Sequence, residues 1–225
     1  MAVGLKGFAA STAPPAEPAL DCALCPRLVA YRTANRNAEP TWYNAPVHSF
    51  GDPVVRLLIV GLAPGLKGAN RTGRPFTGDY AGELLYATLL DFGLATGSYS
   101  ARADDGLTLS GCMITNAVRC APPGNKPLPA ELRACRAYLT QRIRSLGRLS
   151  AILALGRIAH DSVLAALGLP RSTYPFAHGA RHSLPSGLTL FDSFHCSRYN
   201  TNTGKLTTDM FRAVFQAVRK ELDRI

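Results

Sequence analysis

Apolar residues along the chain fall into two kinds of run. Val54–Val60 is almost continuously apolar (VVRLLIV), as expected of a strand buried on both faces of a sheet. Three more segments read as strands: Met113–Asn116, Ala151–Ala154 and Leu188–Phe194, with the first narrowed to Val55–Val60. Between them the apolar positions recur at helical spacing. Tyr80–Phe92 and Arg157–Leu167 are two such helices. Pro129–Leu146 is a third, with Leu132, Cys135, Leu139, Ile143 and Leu146 on one stripe. A last one runs from about Thr208 to the end, carrying Phe211, Val214, Phe215, Val218 and Leu222. Cys25–Asn37 reads as a further helix, followed by a loop broken by Pro40, Pro46 and Pro53.

Strand and helix alternate, so the predicted fold is α/β: a three-layer α/β/α sandwich around a mainly parallel four-stranded sheet. Residues 1–19, rich in Ala and Pro, read as a flexible arm, and residues 20–225 as a single domain. In such sheets the working residues sit in loops at the carboxyl ends of strands. That rule selects the loops after Val60, around Asn116 and after Phe194.

Composition narrows the partners. Hydrophobic residues make 47% of the 225-residue chain and charged residues 18%, ordinary for a globular enzyme. Twenty-five Lys and Arg against 15 acids leave a formal charge of +10, which points to a polyanionic partner. No apolar run approaches the roughly 20 residues of a membrane span, and Lys6 interrupts the only segment resembling a leader. The expected location is cytoplasmic, where six cysteines are free or metal-bound rather than paired.

Cys22 and Cys25 form a CxxC pair, and Cys120 and Cys135 follow with fourteen residues between them. Two thiolates two residues apart converge readily on one ion or cluster. The spacing leaves zinc and iron–sulfur level, and a redox pair or core thiols remain open. Cys112 and Cys196 have no close cysteine neighbour.

The loop after the first strand runs Gly61-Leu62-Ala63-Pro64-Gly65 and on to Phe76 and Asp79. It lacks the GxGxxG and Walker spacings, so nucleotide phosphate binding has no support. It is glycine-rich enough to bring backbone N–H groups against a ligand. Asp79 precedes a helix and on position alone is an N-capping residue. Phe76 alone reads as a packing residue, Asn116 as a turn-forming Asn and His195 as a structural histidine.

GLAPG after a buried strand, then NRTGRPFTGD, ITNAVRC and HCSRYNTNTGKLT, together with the four cysteines, resemble the type b (family 5) uracil-DNA glycosylases. The likeness extends from about Cys22 to Asp209, and the apolar Leu62 distinguishes this type from type a, which carries an acid there. The resemblance implies a monofunctional hydrolase that removes uracil, and other deaminated bases such as hypoxanthine and xanthine, from DNA. It implies a [4Fe–4S] cluster on Cys22, Cys25, Cys120 and Cys135. Asp79 would activate water and stabilise the sugar cation, and His195 would stabilise the departing base. Asn116 would read the base edge, Phe76 would stack on the base, and the backbone of Gly61–Gly65 would line the pocket. Arg71, Arg74, Ser197, Arg198, Tyr199 and Asn200 would contact DNA. A monomer is expected. A non-catalytic iron–sulfur DNA-binding or redox-sensing protein is the alternative, and it has no use for Asp79, Asn116 and His195 at strand ends.

Overall fold

The computed structural model describes residues 16–52 and 54–224. Its elements in chain order begin with α1 (Pro26–Ala38), β1 (Phe50–Gly51), β2 (Leu57–Gly61), α2 (Ala69–Thr72) and α3 (Tyr80–Asp91). Next come β3 (Ala95–Thr96), β4 (Thr108–Leu109), β5 (Cys112–Asn116), α4 (Pro129–Ser145), β6 (Ala151–Leu155) and α5 (Arg157–Leu167). The chain finishes with β7 (Arg181–Ser183), β8 (Thr189–Ser193), α6 (Arg198–Asn202) and α7 (Thr208–Asp223).

Every residue of β2, β5, β6 and β8 is buried, which is why β2 and β6 read as apolar runs without alternation. They pair in parallel in the order β5-β2-β6-β8. Alternate side chains feed two cores. Leu57, Ile59, Ile114, Leu153 and Phe191 pack with Leu85 and Leu89 of α3 and with Phe211 and Phe215 of α7. Leu58, Val60, Met113, Ile152 and Leu190 pack with Leu139 and Ile143 of α4 and with Val163 and Leu164 of α5. Helices therefore cover both faces, as the predicted sandwich requires.

The sheet has six strands rather than four. Two antiparallel edge strands, β1 against β5 and β7 against β8, complete it. They are two and three residues long and only partly buried, so no apolar run marks them. The order of the parallel strands reverses between β2 and its neighbours β5 and β6, which opens a crevice beyond their carboxyl ends.

Residues 1–15 of the N-terminal segment lie outside the described residues. Glu17, next to them, is held by Arg119 at 2.8 Å and Arg142 at 2.6 Å. No helix among the described residues is long and apolar enough to cross a membrane.

Candidate active site

A cleft of about 600 Å³ opens at the strand ends. Leu62, Ala63, Pro64 and Gly65 line it from the loop after β2, Asn116 from the end of β5, and His195 from the loop after β8. Phe76, Asp79, Ser197 and Arg198 complete the predicted part of the wall. Three segments far apart in sequence thus meet where the sheet topology dictates.

Gly61 makes this convergence possible. A Cβ there would stand 2.4 Å from Asn116 Oδ1 and 2.6 Å from the Phe76 ring. Asn116 is 2% exposed, and its Oδ1 is buried without a hydrogen-bond partner. A buried acceptor left unpaired costs about 1–3 kcal/mol, so a donor on a bound molecule would be favoured strongly there. Phe76 holds a left-handed backbone (φ 54°) and lies near-parallel to His195, with ring centroids 5.8 Å apart. Burial alone pushes the His195 imidazolium down to about 4, so the ring is neutral at pH 7. The side-chain amide of Asn200 donates to the His195 carbonyl at 2.8 Å and fixes the loop that carries the imidazole.

Asp79 does two things at once. It is the N-cap of α3, where Gly82 N–H donates to its Oδ1 at 3.3 Å. Its Oδ2 faces the loop glycines: a Cβ at Gly65 or Gly68 would come within 2.9 or 2.4 Å of it. Burial raises its carboxyl above the ordinary range, opposed by the backbone N–H donors of the helix start. The loop is braced by Asn70, which donates to Asn44 Oδ1 at 2.8 Å.

Of the residues expected on DNA, Arg198 and the highly exposed Tyr199 flank the cleft on α6, with the Arg198 guanidinium 5.3 Å from the Tyr80 ring centroid. Ser197 caps that helix by accepting from Asn200 N–H. Arg71 is exposed. Arg74 is a correction. It is 4% exposed, forks onto Asp105 at 2.8 and 2.7 Å, and lies over Phe50, Tyr86 and Tyr99. Its guanidinium is committed to the interior and cannot reach a phosphate. Asn200 likewise spends its amide on the His195 loop.

Sequence reasoning missed Lys67, Ala69, Tyr80, Ala81 and Asn125 of the cleft wall. Tyr80 was findable as the neighbour of Asp79. Asn125 lies in the Pro122–Pro129 loop between Cys120 and Cys135, which the sequence reading expects to face DNA, and a left-handed turn (φ 56°) carries it to the rim.

The four cysteines surround a separate, small cavity together with Leu28, Arg32, Val118 and Tyr138. Arg119 N–H donates to Cys135 Sγ at 3.4 Å, and Arg32 Nη1 to Cys120 Sγ at 3.5 Å. Burial pushes the free thiols of Cys120 and Cys135 up to about 11 and about 12. Among the described residues, the group of three or more ligand atoms within 4.8 Å of one another is His160, His182 and Asp192, not the cysteines. Four thiols around one cavity, with N–H donors on two of them, form a donor set that fits a sulfur-ligated metal group. His160, by contrast, bonds Asp192 at 2.7 Å and the Tyr174 carbonyl at 2.8 Å, and His182 meets the other Asp192 oxygen at 3.3 Å. That network closes on itself and ties α5 to β7 and β8. Cys112 and Cys196 are buried and donate to the Leu94 and Ala81 carbonyls.

Residues 48–219 match the family model of the uracil DNA glycosylase superfamily. The chain is 49% identical over 205 residues to a type-5 uracil-DNA glycosylase of Thermus thermophilus, covering 88% of this chain and 93% of the relative. It is 42% identical over 208 residues to a type-5 enzyme of Mycobacterium bovis, covering 88% and 77%. A third type-5 enzyme, from Pyrobaculum aerophilum, is 38% identical over 201 residues, covering 88% and 87%.

Proposed function

The chain belongs to the uracil-DNA glycosylase superfamily, and from that premise we propose that it hydrolyses the N-glycosidic bond of uracil in DNA and leaves an abasic site. The observation that carries this is the buried, unpartnered Oδ1 of Asn116 in the cleft wall beside Phe76. A duplex must release its base into such a cleft before the bond can be reached. The uracil ring then lies against Phe76, and its ring N–H satisfies Asn116 Oδ1. Neutral His195 donates a proton in hydrogen bonding to the carbonyl oxygen on which the leaving base gathers charge. Asp79, in its carboxylate form, faces the sugar as it becomes cationic and orients the water that adds to it. The phosphates flanking the base meet Arg71, Arg198 and the loop N–H groups.

The same cleft admits hypoxanthine and xanthine in this reading, because Leu62 presents no charge to discriminate among base edges. The four cysteines hold a [4Fe–4S] cluster that supplies no bond-making step. When bound, it ties α1 to the Cys120–Cys135 segment, whose Asn125 forms part of the cleft rim. The protein acts as a monomer in the cytoplasm.

Oligonucleotides containing uracil, hypoxanthine or xanthine, incubated with protein and cleaved by alkali, test the reading. Strand scission after alkali at each lesion is expected; intact uracil strands would overturn it. Lys67 stands in the cleft wall, yet the hydrolytic reading predicts that borohydride traps no protein–DNA adduct. A trapped adduct lost in Lys67→Ala would make the enzyme a lyase.

A further inference from the structure

Arg32 sits on α1 with its side chain turned into the cysteine cavity. It is 5% exposed. Nη1 reaches Cys120 Sγ at 3.5 Å, Nη2 donates to the Cys22 carbonyl at 3.0 Å, and Nε is buried with no partner. Among the described residues no carboxylate pairs with it, although seven other arginines (Arg27, Arg74, Arg102, Arg119, Arg142, Arg181 and Arg212) have close carboxylate partners. A buried cation without a counter-charge is costly, typically by several kcal/mol. The cavity that Arg32 enters is lined by the four cysteines, with Cys120 Sγ in direct contact, and four thiolates around a cubane core leave a net negative charge.

We propose that Arg32 is the counter-charge of the cluster: a positioning residue whose fork bridges the Cys120 sulfur and the Cys22 backbone, one ligand from each half of the site. This rests on the cluster reading given above. The guanidinium binds no substrate and lies in a cavity separate from the glycosylase cleft. Its positive charge and its N–H on sulfur both favour the more negative, reduced state of the cluster, so they raise its reduction potential. Its fork also holds the two halves of the site in one geometry, which slows loss of iron.

The test compares wild-type holoprotein with Arg32→Gln and Arg32→Lys. Three quantities are read: iron and acid-labile sulfide per protein, the midpoint potential of the one-electron couple, and the rate of iron loss to a chelator. The inference predicts a lower potential and faster iron loss in Arg32→Gln. Arg32→Lys, which keeps the charge and loses the fork, should retain most of the potential but lose iron faster than wild type. If Arg32→Gln is recovered folded by circular dichroism but without iron, the counter-charge role is supported through retention. If Arg32→Gln does not fold, Arg32→Lys decides: iron loss at the wild-type rate overturns the inference. Wild-type potential and retention in Arg32→Gln overturn it while leaving the cluster intact. Wild-type protein lacking iron and sulfide overturns the cluster reading and this inference together.

Discussion

Asp79 carries two loads that one substitution separates. As an N-cap, its replacement by Ala costs about 1 kcal/mol, which confounds any reading of lost activity. Asparagine caps equally well and carries no charge. His195 lacks this complication, and removing a donor to a leaving group typically slows the chemical step by about 10²–10³. We expect His195→Ala to lose activity by that factor with uracil-DNA binding nearly unchanged, measured by single-turnover excision beside anisotropy titration. The same two groups set the pH dependence. Activity needs Asp79 ionised and His195 neutral. The Asp79 carboxyl is raised by burial and the His195 imidazolium is lowered to about 4, so both requirements fail only on the acid side. The rate should therefore fall toward acid, as Asp79 and His195 take up protons, with no limb on the alkaline side from either group. A limb centred near 6.5, the ordinary histidine value, that persists in the residual activity of Asp79→Asn would mean that His195 is solvated rather than buried. The sign for stability is the opposite of a salt-bridged histidine. A folded value of about 4 below an unfolded 6.5 means that acid favours the unfolded chain from about pH 6.5 downward, the loss levelling off near 4. At this scale the sequence showed which residues stand at strand ends. It did not show that Asn116 Oδ1 lacks a partner, because that depends on Gly61 letting Asn116 and Phe76 crowd together.

Elements were legible where burial is uniform. β2 and β6 are apolar at nearly every position, and the bounds of α5 at Arg157–Leu167 follow from its helical spacing to the residue. The edge strands were not legible, since a two-residue strand such as Phe50–Gly51 has no period. Arg74 illustrates a second kind of blindness. Within its loop it resembles Arg71, but Asp105, 31 residues later, pulls it inside. The two arginines should therefore behave oppositely. Arg74→Ala leaves the Asp105 carboxylate with only the backbone N–H donors of Ser100 and Leu107 and no counter-charge, and should destabilise the fold by roughly 3 kcal/mol in urea unfolding. Arg71→Ala should change stability by less than about 0.5 kcal/mol, yet weaken DNA binding and reduce the salt slope by about 1. A stable Arg74→Ala with weakened, less salt-sensitive binding would return that residue to the DNA interface.

Across the whole molecule, the cysteine cavity and the cleft are joined by the Cys120–Cys135 segment, which carries cluster ligands at its ends and Asn125 between them. The cluster proposed on these cysteines would thus act as scaffold. The contact between α1 and α4 does not depend on it alone, because Arg27 forks onto Glu131 at 2.8 and 2.9 Å. Stripping iron should lower the melting temperature by several degrees, on the scale of about 2–4 °C per kcal/mol for a chain of this size. It should weaken DNA binding without abolishing the fold; unchanged melting would remove the structural role. The central claim remains that a carboxylate, an amide and an imidazole from three strand ends break the glycosidic bond. Single-turnover excision of uracil from a duplex by wild type and Asp79→Asn tests it most directly. The account predicts complete excision by wild type, and a rate lower by about 10² or more in a variant with wild-type melting and DNA affinity. Excision by Asp79→Asn at the wild-type rate would contradict it.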